Sequence, residues 1–113
     1  MTSSVKIKRN DTKGKFIDTL MLDGVPVNLT GCTIKFLIRR RGRSTGSPET
    51  LIRPAAIAGD PTLGGVEYQP VAADVAQEGI FDHEWQVTFP DGKILTVPNQ
   101  DFNTVEILRD LGD

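Results

Sequence analysis

Cysteine and histidine each occur once in the sequence, as Cys32 and His83. A lone thiol excludes an intrachain disulfide, and one thiol with one imidazole cannot supply the ligands of a Cys and His zinc site. Long apolar runs are missing too, since none approaches the roughly 18 residues that carry a helix across a bilayer. The opening Met1-Thr2-Ser3-Ser4-Val5-Lys6 has no apolar stretch of the secretory kind, so a soluble chain made in a reducing cytosol is the expectation. Heptads, internal repeats and low-complexity linkers are also lacking. Aromatic residues are scarce, at 6%, which leaves little material for stacking platforms. Chain breakers, in contrast, are plentiful. The 11 Gly and 7 Pro among 113 residues disfavour a helical bundle and favour many short strands. A chain of this size supports one domain around one core.

The net charge of −2 conceals a division. Residues 1–53 hold 11 Lys and Arg against 4 Asp and Glu, a net of +7, whereas residues 54–113 hold 2 against 11, a net of −9. A basic half is what the phosphate contacts of a nucleic-acid binder require. If the two halves supply neighbouring strands, however, opposite charges meet across the sheet and cancel at long range. The second reading is preferred, and no nucleic-acid partner is expected. The same division makes one subunit complementary to the next, which favours repeated copies in rings or stacks.

Period-two alternation predicts the strands. Val5-Lys6-Ile7-Lys8-Arg9 alternates apolar with cationic residues, and residues 15–22 form a second segment with Phe16, Leu20 and Leu22 on one face and Asp18 discordant among them. Asp23-Gly24 supplies the pair for a tight hairpin. From Thr33 to Arg40, Ile34, Phe36 and Ile38 face one way, and Lys35, Leu37 and Arg39 the other. Residues 39–50, rich in Arg, Gly and Ser, are expected to form an exposed loop. Strands follow at 51–58 and 66–69, then a helical turn or irregular crossover at 71–78. The strongest alternation is in residues 80–89, where Phe81, His83, Trp85, Val87 and Phe89 share one face. A hairpin at 90–93 and strands at 94–97 and 102–108 complete the pattern. Seven or eight antiparallel strands with turns every 8 to 12 residues predict an all-β, immunoglobulin-like sandwich over residues 1–113. Its expected core is Leu20, Leu22, Ile34, Phe36, Ile38, Phe81, Trp85, Val87 and Phe89.

Residues able to do chemistry are few. His83 has a pKa suited to a general base, but its place between Phe81 and Trp85 predicts a partly buried imidazole, hydrogen-bonded to a neighbour. Cys32 at a strand start reads as a small buried hydrophobe rather than a nucleophile. Asp82 and Glu84 lie on one face about 7 Å apart, a spacing compatible with glycoside hydrolysis. Simple alternation explains them better, as a solvated outer face, since no aromatic sugar platform accompanies them and Trp85 points the opposite way. Asp60, Asp74 and Asp91 do not form the spaced ligand loop of an EF-hand, and residues 59–65 lack the ending of a phosphate loop. The two Asn-X-Thr triplets, at Asn10 and Asn28, read as turns. The one sequence feature suited to direct binding is the cluster Arg39, Arg40, Arg41 and Arg43. Without interleaved aromatics for base stacking, it is expected to meet an acidic protein surface, such as the acidic half of another copy. The expectation is therefore a non-enzyme with no cofactor, no metal, no membrane and no small-molecule substrate.

The run Lys8-Arg9-Asn10-Asp11-Thr12, then the segment from Leu20 through Asp23-Gly24-Val25-Pro26-Val27-Asn28-Leu29-Thr30-Gly31 to Phe36, resembles the N-terminal domain of phage baseplate upper proteins, an immunoglobulin-like module of tailed-phage particles. Gly65-Val66-Glu67-Tyr68, Gly79-Ile80-Phe81, Glu84 through Gly92 and Thr96-Val97-Pro98 are similar to it as well, so that the resemblance runs from about Val5 to Leu108. It implies a structural part of the virion, made in the host cytoplasm, that anchors or spaces other phage structural proteins and has no catalytic residues. Such a module usually heads a longer chain, whereas this polypeptide stops at Asp113, and docking is expected through its own faces and tails. A baseplate or tail adaptor is the main expectation. Capsid decoration, head-tail joining and a small carbohydrate-binding module are the alternatives.

Overall fold

Alternation of apolar and polar residues builds ten strands in the computed structural model, which describes residues 4–41, 50–98, 103–109 and 111. They are β1 (Ser4–Lys8), β2 (Phe16–Thr19), β3 (Met21–Leu22), β4 (Val25–Pro26), β5 (Thr33–Arg40), β6 (Leu51–Ile57), β7 (Gly65–Tyr68), β8 (Gly79–Thr88), β9 (Ile94–Val97) and β10 (Asn103–Leu108). Two short 3-10 turns, Pro61–Leu63 and Ala72–Val75, are the helical pieces among the described residues. The fold is all-β, as the composition predicts.

Hydrogen-bonded neighbours run in the order β1-β10-β8-β5-β6-β7-β2, with β9 on the C-terminal half of β8. β6 serves two partners. Its residues 51–55 pair with β5 and its residues 56–57 pair with β7, so a single strand links the two pairings. The Phe16 ring of β2 and the Tyr68 ring of β7 stack on Phe36 of β5 at 4.9 and 4.7 Å, which brings the β7-β2 end of this strand order over β5 at the core. β8 is the central element, paired to β5 along residues 81–88 on one side and to β10 and then β9 on the other. The strands pair antiparallel with one exception, β1, which lies parallel to β10.

Phe36, Trp85 and Val87 are fully buried, with Ile34 and Ile38 nearly so and Phe81 also in the core, as the alternation predicts. Two expected core residues need correction. Leu22 is 41% exposed, and Phe89 only packs against the margin of the core. The strand expected over 15–22 breaks at Leu20. Its amide donates to the Gly64 carbonyl and its carbonyl accepts from the Val27 amide. The two residues that follow turn away from β7 to form the hairpin with β4, through Asp23 and Gly24 at φ 53° and 79°. Leu22 thereby leaves the face it shares in sequence with Phe16 and Leu20. The core is completed by Val27, Leu29, Val66, Val75, Val105 and Ile107.

Candidate functional site

The arginine cluster begins at the end of β5, where alternation sends Ile38 inward and Arg39 outward. Register places Leu37 opposite Glu84 and Arg39 opposite Asp82, so the basic strand and the acidic strand share one outer face. Thr104 lies beyond Asp82 on β10, and Glu106 sits between Ile80 of β8 and Lys6 of β1. Across this face the charges thus run basic on β5, acidic on β8 and β10, and basic again on β1. Neighbouring strands of opposite sign attract at cross-strand distances, which accounts for the cancellation expected from the halves.

Arg41 closes the contact. Its backbone amide donates to the Ile80 carbonyl at 2.8 Å, its Nε donates to Asp82 Oδ1 at 2.8 Å, and its Nη2 donates to Thr104 Oγ1 at 3.1 Å. Asp82 is mostly covered while the Arg41 side chain remains 48% exposed. The hydrogen bond and the negative charge of Asp82 both raise the Arg41 pKa, so its charge is permanent. Burial pushes the Glu84 carboxyl up from its ordinary range; the Arg39 charge offsets part of this and the Asp82 charge adds to it. Leu37, Arg39, Thr50, Asp82 and Glu84 contribute to the lining of a shallow depression of about 150 Å³ on this face.

Arg40 does not join them. It points to the opposite side of the sheet, and its guanidinium lies over Gly79, where a Cβ would stand 2.9 Å from Arg40 Nε. The φ of 143° at Gly79 also disfavours a side chain there. Arg43 lies outside the described residues. Arg39 and Arg41 therefore lie on one face and Arg40 on the other, and Arg41 has an acidic partner within its own chain. Asp82 and Glu84, read from sequence as a solvated pair, are half-buried and surrounded by this arginine framework.

No family model matches the chain, and no curated protein matches it.

Three carboxylates weighed as calcium ligands are used elsewhere. Asp60 accepts from the Thr62 amide and hydroxyl at 2.9 and 2.7 Å, and Asp91 accepts from the Lys93 amide at 3.0 Å, which holds their own turns. Asp74 is buried in a network that sequence reasoning missed. It accepts from Arg53 Nε at 2.9 Å, from the Val71 amide at 2.9 Å and, through a short bond, from the Tyr68 hydroxyl. Burial pushes the Tyr68 phenol strongly up, and its bond to the Asp74 carboxylate adds to this. The network ties β6, β7 and the turn at 72–75 together. A discordant Asp in an Ala-rich stretch and an Arg within a strand pattern were its sequence signals. Among the described residues no three His, Cys, Asp or Glu side chains converge as metal ligands. Cys32 is half-buried, and burial together with the Asp91 charge raises its pKa.

His83 is buried more deeply than expected. It is 4% exposed, and its ring lies 4.9 Å from Phe36, 5.9 Å from Phe16 and 6.0 Å from Trp85. Its Nδ1 has no hydrogen-bond partner among the described residues. Loss of hydration pushes its pKa from 6.5 down to about 4. The folded chain keeps the ring neutral while the unfolded chain protonates it, so the folded state is fully favoured above pH 6.5 and loses stability as pH falls towards 4. Between pH 7 and 5 the expected loss is about 2 kcal/mol, from about 1.4 kcal/mol per pKa unit. Urea midpoints at the two pH values, compared for the wild type and His83→Leu, measure it. Equal pH slopes in both proteins would contradict the assignment.

Proposed function

We propose that this protein is a non-enzymatic structural component of a tailed-phage particle, an immunoglobulin-like sandwich that works as a baseplate or tail adaptor through protein contacts. The observation that carries the contact reading is the outer face on β5, β8, β10 and β1. It presents bands of alternating charge with Leu37, Ile52 and Ile80 set among them. Such a surface suits register-specific docking better than turnover, because charge bands select partner and orientation. The sandwich reading is supported by β2, β7 and the end of β6 (residues 56–57) pairing as one group and β5, β8 and β10 as another, with Phe16 and Tyr68 of the first stacked on Phe36 of the second. That grouping parallels the B, E, D and C, F, G strands of immunoglobulin domains. The resemblance to baseplate upper proteins supports the setting.

A sugar-binding surface finds less support. Phe16, Phe36, Tyr68, Phe81 and Trp85 are buried and Phe89 is half-buried, so among the described residues no aromatic ring is free to act as a platform.

Mass spectrometry of purified particles from the strain that carries this chain is expected to find it in a fixed ratio to the other tail proteins. Its absence from the particles would overturn the reading. Assembly with those proteins is expected to weaken between 0.05 and 0.5 M salt, since exposed charges are screened beyond about 10 Å at 0.1 M. Light-scattering masses that remain monomeric at both salt levels would count against contact through this face.

A further inference from the structure

We propose that the outer edge of β1 is a docking strand for another protein, and that the segment it takes is extended and carries carboxylates at alternate positions. β1 lies at the end of the strand order, and among the described residues β10 is its one neighbour. The backbone groups on its far side therefore point away from the sheet, the arrangement on which strand addition operates.

Two features of β1 state the chemistry of the partner. The inward residues Val5 and Ile7 stand beside Val105 and Ile107, which are fully buried or nearly so, yet Val5 itself is 37% exposed. The apolar stripe of the sheet thus runs past the cover of the opposite layer, and an added strand with apolar residues on that side would extend the stripe. On the outer side the exposed residues are Lys6 and Lys8. The bands across this face are basic on β5, acidic on β8 and β10, and basic on β1, so the strand that continues the alternation is acidic.

The same lysines argue against a second copy. Two β1 strands paired antiparallel across a two-fold axis in the registers of greatest overlap, centred on Lys6 or Ile7, set lysine opposite lysine at about 5 Å between Cβ atoms. Lysines on an edge discourage unwanted pairing in general. Here they reject the homotypic pair and admit the acidic one. This inference does not depend on the virion reading, since it concerns the unpaired edge of β1 and not the particle in which the chain sits.

The test uses the full chain and two synthetic ten-residue peptides, one alternating Glu with Val and Thr, the other identical with Lys for Glu. In a nitrogen-15 NMR titration the Glu peptide is expected to shift the amides of residues 4–8 and slow their hydrogen exchange, while the Lys peptide binds at least tenfold more weakly. The double variant Lys6→Glu/Lys8→Glu, whose substitutions lie on exposed positions, is expected to lose about tenfold for the Glu peptide and to prefer the Lys peptide. The proposal is overturned if neither peptide binds the wild type, if both bind equally, if the shifts fall on β2 or β9 instead, or if the free chain proves to dimerise through β1.

Discussion

Replacing Trp85 with alanine is expected to lower the unfolding free energy by about 3 to 5 kcal/mol, the range for deleting a large aromatic from a packed core. The side chain is fully buried at the middle of β8, where its backbone pairs with Phe36 of β5 on one side and Val97 of β9 on the other. Its ring meets Phe36 edge to face at 5.2 Å, a geometry that adds to the burial itself. Its Nε1 donates to Asp18 Oδ2 at 3.2 Å. Deletion thus opens a cavity beneath the central strand and removes a donor from a half-buried carboxylate. Trp85→Phe keeps most of the volume and loses only the donor, so its cost should be about 1 to 2 kcal/mol. Trp85 is the only tryptophan, so unfolding of both variants is followed by circular dichroism in urea. A midpoint unchanged in Trp85→Ala would overturn the core assignment.

Asp74→Ala is expected to cost about 2 to 4 kcal/mol. Removing one member of a buried charge pair leaves its partner uncompensated, and here the Tyr68 hydroxyl and the Val71 amide lose their acceptor as well. The value is set below the range for a fully enclosed pair because the Arg53 side chain is 31% exposed and can turn to water. Tyr68→Phe deletes one hydrogen bond and leaves the ion pair, so its cost should be about 1 kcal/mol. If the loss in Asp74→Ala arises from the stranded cation, Arg53→Met in the same chain restores part of it. Equal stability of Asp74→Ala and wild type in urea would show that the network is not a structural clasp.

The discordant residues in the strand pattern are the ones that tertiary structure uses. Asp18 interrupts an apolar face because it receives the Trp85 indole, and Asp74 interrupts an Ala-rich stretch because it gathers Arg53, Tyr68 and the Val71 amide. His83 was readable as an inward residue, yet not as one whose Nδ1 stays unpartnered among stacked rings. The arginine cluster was legible as a group of charges but not as a geometry. Arg39 and Arg41 come out on one face and Arg40 on the other because alternation continues past the end of β5.

Local pattern was enough to locate most strands, the tight hairpin at Asp23-Gly24 and the inward stripe of β8, because pleat and turn conformations are set by a few neighbouring residues. Long-range packing set the parallel pairing of β1 with β10, the sharing of β6 between β5 and β7, the outward turn of Leu22 and the meeting of Arg41 with Asp82. These outcomes join residues far apart along the chain, Arg41 and Asp82 being 41 positions apart. Such pairings are selected by the packing of whole layers, which no local period encodes.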